Sequence, residues 1–129
     1  MAQVKIYGRR EALHLKRDII SHAIHDAIVR AFSYPVDKRF HRFMALEESE
    51  FIHPADRSER YIILEISIFE GRSMTAKKAL IHYLFENFLT MVDVEAIDLE
   101  ITIFEKPRSN WGIRGLPADE LDLDYKVTV

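Results

Sequence analysis

The segment Phe69-Glu70-Gly71-Arg72-Ser73 joins an alternating apolar run to an amphipathic helical pattern. Arg72 is thereby expected beside the unpaired N–H groups of a first helical turn, a combination suited to an anion such as a carboxylate. A second cationic group lies in the stretch KPRSNWGIRG, from Lys106 to Gly115, which joins Arg108 and Arg114 to Trp111, the single tryptophan of a chain with net charge −3. Guanidinium groups beside a large aromatic can hold an anion out of water. Plainer readings stay open at this point: Arg72 paired with Glu70 or Asp98, Arg108 or Arg114 paired with the acidic DELDLD run, and Trp111 plugging an interface.

Other chemistries find little support. His22 faces Asp18 and Asp26 at helical spacing, as ordinary polar neighbours on a wet helix face do. His14 and His25 lack convergent partners, and neither an HxH nor an HExxH arrangement occurs, so no metal is expected. His41 and His53 are weak candidates for a site. The sequence has no GxGxxG, GxxxxGK[ST] or GxSxG, so no nucleotide cofactor and no serine hydrolase are expected.

The elements that must position these groups follow from periodicity. Val4 and Ile6 alternate with polar neighbours before Gly8, as in a short strand. From Glu11 to Phe32 the apolar positions recur at helical spacing, and Pro35 ends the run. Arg39–Glu47 and Tyr61–Phe69 read as strands, Met74–Leu89 as a second helix, and the alternation beginning at Ile97 as a further strand. A last short strand is expected at Tyr125–Val129. The order is β-α-β twice over, and both halves end a strand on Gly-Arg, at Gly8-Arg9 and Gly71-Arg72. The predicted fold is an α+β two-layer domain spanning residues 1–129, with a four-stranded mixed sheet and two helices on one face. If the central strands are antiparallel, Arg72 lies near the amino terminus. The opposite sheet face, with Tyr61, Ile63, Phe69, Phe43 and Phe104, is expected to be covered by self-association.

Composition narrows the class. With 48% hydrophobic and 30% charged residues in 129, and no cysteine, disulfides and thiolate chemistry are excluded and a reducing, cytoplasmic setting is expected. No apolar run suits a membrane span, and the acidic balance gives no reason to expect nucleic acid as a partner.

These features together resemble the tautomerase superfamily, in its branch near malonate semialdehyde decarboxylase and 4-oxalocrotonate-tautomerase-like bacterial proteins. The resemblance rests on the doubled β-α-β layout, the strand-Gly-Arg-Ser-helix run at Ile68 to Ala79, the segment HPADRSERY, and SNWGIRG followed by DLDY. It implies a tautomerase/MIF-like fold and a homotrimer with pockets between subunits. It also implies catalysis by an amino-terminal amine exposed when Met1 is removed, with arginines holding a small anionic carboxylate. On that pattern Ala2 supplies the amine, Arg72 matches the arginine after the third strand, and Trp111 matches the aromatic wall. Arg108, Arg114, Lys38 and Ile113 complete the implied substrate-binding set.

The chain departs from the pattern at Ala2, where the family's enzymes carry proline. It departs again at Lys38, where the decarboxylase branch has an aspartate, and at Glu70, where that branch has another arginine. A primary α-amine has a pKa of about 7.7 to 8 and keeps some free base near neutrality. Two readings follow: a weak keto-enol tautomerase acting on an enolisable or 2-oxo carboxylate, with decarboxylation disfavoured, or a non-catalytic trimeric relative that binds an anionic metabolite.

Overall fold

The computed structural model describes residues 1–129, and its sheet follows the alternation of apolar residues. Strand β1 (Ala2–Arg9) buries Ala2, Val4, Ile6 and Gly8, and β3 (Ile62–Phe69) buries Ile62, Leu64, Ile66 and Ile68. The two run antiparallel, with Ala2 opposite Ile68 and Gly8 opposite Ile62. Strand β2 (Phe40–Leu46) lies parallel to β1, and β4 (Leu99–Lys106) lies parallel to β3, giving the order β2-β1-β3-β4. Each parallel pair is bridged by a helix. Helices α2 (Arg17–Phe32) and α3 (Met74–Asn87) pack against each other and share one apolar core with the buried strand residues. The doubled β-α-β arrangement expected from sequence is therefore the observed one.

Several boundaries differ from the sequence pattern. The expected helix from Glu11 to Phe32 is broken into α1 (Arg10–His14) and α2, because Lys16 leaves helical geometry and donates from Nζ to the Val92 carbonyl at 2.6 Å. Helix α3 passes at Phe88–Val92 into a wider π turn that ends on Asp93 in the left-handed region, φ 62°. No strand forms at Tyr125–Val129. The segment instead lies along the start of α3, where Ser73 Oγ donates to the Val129 carbonyl at 3.1 Å and Val127 packs over Gly71. A two-residue hairpin, β5 (Gly112–Ile113) with β6 (Leu116–Pro117), forms around Arg114 and Gly115, both at positive φ.

The register also moves one residue between faces. Phe43 pairs with Ile6 and so lies on the helix side, not on the open side where alternation had placed it. Phe69 is fully buried, and the Tyr61 ring packs on Phe51 and His53 ahead of β3. The open face that remains carries Phe40, Met44, Ile63 and Phe104 among Lys5, Arg42, Glu65 and Thr102.

Asn87 ties the two long helices together at the point where α3 changes pitch. Its buried amide donates to the Ala23 carbonyl at 3.0 Å and to Asp26 Oδ2 at 2.8 Å. Asn87→Ala removes both bonds, one of them to a carboxylate, while the Ala23 carbonyl keeps only its helical partner, and is expected to cost about 1 to 3 kcal/mol. Urea unfolding measures this directly, and a loss below about 0.5 kcal/mol, the scale of an ordinary surface change, would mean the amide does not lock the helices.

Candidate functional site

The site is assembled where β1 begins, β3 ends and the C-terminal segment folds back. Pairing of Ala2 with Ile68 brings the first residues to the strand end that leads through Gly71, at φ 128°, into Arg72. Ser73 caps α3 by accepting from the Ala76 N–H at 3.1 Å, so the helix starts immediately beyond Arg72. Arg72 turns inward. It is 4% exposed, its guanidinium carbon stands 4.7 Å from the Phe32 ring centroid, and Nη1 donates to the Phe69 carbonyl at 3.4 Å. Nε and Nη2 are buried without protein partners. Burial lowers the pKa of this guanidinium from its usual value.

The α-amine of Met1 sits beside it and donates to the Tyr125 hydroxyl. Burial, followed by the charges of Arg72, Lys38 and Arg108, lowers its pKa to about 4. The next nitrogen, that of Ala2, donates to the Tyr34 hydroxyl at 3.1 Å. The Tyr34 and Tyr125 rings meet edge to face at 5.3 Å. Desolvation pushes the Tyr34 phenol up to about 12, and the phenol of Tyr125 is also raised, mainly by burial. Both hydroxyls are therefore neutral at physiological pH, and the site presents hydroxyls, cations and an uncharged amine.

Lys38 lies over the Tyr125 ring at 5.2 Å and pairs with Asp124 at 2.9 Å. Arg108 spends its donors on backbone carbonyls: Nε and Nη2 reach Ala118 and Nη2 also reaches Leu121. Trp111 packs edge to face on Phe69 at 4.9 Å. The structure thus gathers Arg72, Lys38, Arg108 and Trp111 around the start of β1. Ile113 is half-buried on the neighbouring hairpin, and Arg114 is exposed at its turn; the Asp124 carboxyl is lowered chiefly by its hydrogen bond to Lys38, with Arg114 a lesser contributor. Glu70 faces solvent.

Tyr34 and Tyr125 carried no signal as site residues. The only traces in the sequence are a tyrosine between a helix end and Pro35, and another closing the acidic DLDY run. His53 stays in its loop, beside the Pro54 carbonyl at 3.0 Å. His41 forms a separate pair with Ser21, Nδ1 to Oγ at 2.8 Å, and burial lowers its pKa to about 4, with Arg39 and His25 adding to the effect. No cluster of side chains suited to a metal ion is present, and no helix is long and apolar enough to cross a membrane.

A cavity of about 540 Å³ opens at the other end of the β1–β3 pair, beside Arg9, the counterpart of Arg72 in the first half. There the duplication does not extend to the charge. Arg9 pairs with Glu48 at 3.4 Å, and Glu11, Glu47 and Glu59 also line the space. Carboxylates neutralise the arginine, so Arg9 lacks the unpaired charge with which Arg72 would attract an anion.

Residues 38–114 match the family described as tautomerase enzyme. The chain is 35% identical over 57 residues to 2-hydroxymuconate tautomerase of Comamonas testosteroni, covering 44% of this chain and 90% of that protein. Against the protein of the same name from Pseudomonas putida it is 33% identical over 57 residues, again 44% and 90%. Among solved structures, FG41 malonate semialdehyde decarboxylase superposes with a TM-score of 0.72 at 26% identity, covering 85% of this chain and 87% of that one. A fused 4-OT that forms an asymmetric trimer gives 0.80 at 19% identity, covering 91% and 96%.

The amine pKa carries a pH signature. An unfolded chain binds the proton near 8 and the folded one near 4, so the stability associated with this group is present above about pH 8 and is lost as pH falls toward 4. Unfolding free energies of the free-amine chain, compared with an Nα-acetylated form across that range, are expected to fall more steeply with acid for the free amine. Parallel curves would mean that the fold does not perturb the group.

Proposed function

Because the chain belongs to the tautomerase enzyme family, we propose that it interconverts enol and keto forms of a small carboxylate, with the Ala2 amine as proton carrier once Met1 is removed. The observation that carries this reading is a 4%-exposed Arg72, two of whose nitrogens lack partners, beside the start of β1, where burial and the neighbouring cations keep the Met1 amine uncharged one residue ahead of Ala2. Arg72 holds the substrate carboxylate through charge-assisted hydrogen bonds. The neutral amine takes the proton of the enol hydroxyl as its oxygen becomes a carbonyl. The resulting ammonium then gives a proton to the carbon that loses its double bond, so the reaction is an isomerisation with no net gain or loss. Lys38 and Arg108 add positive field, which favours both the free base and the bound anion. Trp111 and Phe69 wall the site and keep water from the anion.

Ala2 favours a second reading, in which the same pocket binds an anionic metabolite without turnover. A primary amine at a chain end is less rigid than a prolyl ring nitrogen, so the catalytic reading predicts weak activity that Ala2→Pro raises. The deciding assay is ketonisation of 2-hydroxymuconate, and of a simpler 2-hydroxyenoate, by protein whose N-terminus is established by intact mass. Arg72→Ala is expected to lose about 1.5 to 3 kcal/mol of carboxylate binding, roughly a 10- to 150-fold weakening. Absence of turnover above buffer in both wild type and Ala2→Pro, with ligand binding intact, would sink the catalytic reading and leave the binding one.

The open sheet face supports a further part of the proposal, a closed homotrimer. Phe40, Met44 and Phe104 are each about 40% exposed there, and the fused 4-OT neighbour is a trimer. Mass measurement in solution is expected to give three copies per particle at micromolar concentration; a stable monomer or dimer overturns this assembly.

A further inference from the structure

We infer that Tyr34 is a positioning residue for the amino-terminal amine, its hydroxyl accepting one N–H of Ala2 and so aiming the nitrogen lone pair. The inference rests on the catalytic reading above and adds to it the device that replaces a proline ring. A prolyl nitrogen is held by ring closure, whereas a primary amine turns about its Cα–N bond among staggered orientations. An acceptor fixed against one N–H selects among them.

Tyr34 is built to be fixed. Ser33 ends α2 in the left-handed region, φ 50°, and Tyr34 N then donates to the Val29 carbonyl at 3.3 Å, which directs the side chain back toward β1. The residue is 3% exposed, its ring is braced edge to face by Tyr125 at 5.3 Å, and its hydroxyl stands 3.1 Å from the Ala2 nitrogen. That nitrogen belongs to a residue itself 3% exposed and registered opposite Ile68, so its backbone has little freedom to drift. In the structure the Met1 amine faces the Tyr125 hydroxyl and the Arg72, Lys38 and Arg108 cations, and one residue on the Ala2 peptide N–H, the nitrogen that becomes the amine when Met1 is removed, faces the Tyr34 hydroxyl. Tyr34 is the one among them that touches the Ala2 nitrogen. A hydroxyl acceptor also stabilises an ammonium more than a neutral amine, so its removal makes the amine a weaker base.

The test is Tyr34→Phe in the Ala2 chain and in the Ala2→Pro chain, each shown by intact mass to lack Met1. In the Ala2 chain kcat for 2-hydroxymuconate is expected to fall about tenfold, with KM held within about twofold because Arg72 is untouched. The low-pH limb of the rate should move toward acid. In the Ala2→Pro chain the loss should shrink to about threefold or less, because the ring already fixes the nitrogen. Equal losses in the two backgrounds overturn the inference. A second measurement needs no turnover: the pH midpoint for carbamylation of the N-terminal peptide by cyanate, read by mass. Tyr34→Phe should lower that midpoint in the Ala2 chain. An unmoved midpoint overturns the inference whatever the activity, whereas a moved midpoint in protein that never turns over leaves Tyr34 against the amine and removes the tautomerase reading instead.

Discussion

Antiparallel pairing of β1 with β3 is the constraint on which the site depends. It sets Ala2 opposite Ile68, at the strand end that turns through Gly71 into Arg72. A slip of one residue would turn Ala2, Val4 and Ile6 out of the core, and the loss of so much burial forbids it. Burial of alternate side chains thus fixes the register, and the register fixes the separation between a chain-terminal amine and a guanidinium about seventy residues away in sequence.

The same backbone device appears twice and performs differently because of what surrounds it. At Gly8-Arg9 the guanidinium meets Glu48 and a cavity bearing further carboxylates. At Gly71-Arg72 it enters the interior, lies over Phe32, and meets hydroxyls and an amine with no carboxylate in contact. An unpartnered cation in a desolvated site attracts an anion strongly, whereas a paired one has already spent most of that attraction.

Lys38 stands where the resemblance to the decarboxylase branch leads one to expect an aspartate, and its effect on the amine has the opposite sign. A carboxylate there would hold the ammonium form; Lys38, with Arg72 and Arg108, disfavours it. Glu70 does not restore the balance, because it faces solvent. The C-terminal segment completes the enclosure: Tyr125 reaches the amine, Asp124 holds Lys38, and Val127 and Val129 rest on the turn that presents Arg72. Of its acidic residues Asp124 alone serves as a partner for Lys38, while Asp119, Glu120 and Asp122 stay exposed.

The two-layer fold was legible in the alternation of Val4 and Ile6, in Ile62 to Ile68, and in the helical spacing of Ile20 to Phe32 and Ala76 to Phe88, because burial of one face imposes those periods directly. Arg72 and Trp111 were legible as unusual residues in suggestive places. The break at Lys16, the transfer of Phe43 to the helix face and the path of Tyr125–Val129 were not, since each is settled by a partner distant in sequence: Val92, Ile6, and the Gly71–Ser73 turn. Tyr34 and Tyr125 belong with them. Nothing in the local pattern of either tyrosine indicates that its hydroxyl will meet a backbone nitrogen or an amine at the other end of the chain. Periodicity reports which side of an element is buried; which polar groups are buried together was decided only when the sheet register and the returning C-terminal segment brought them into hydrogen-bonding distance.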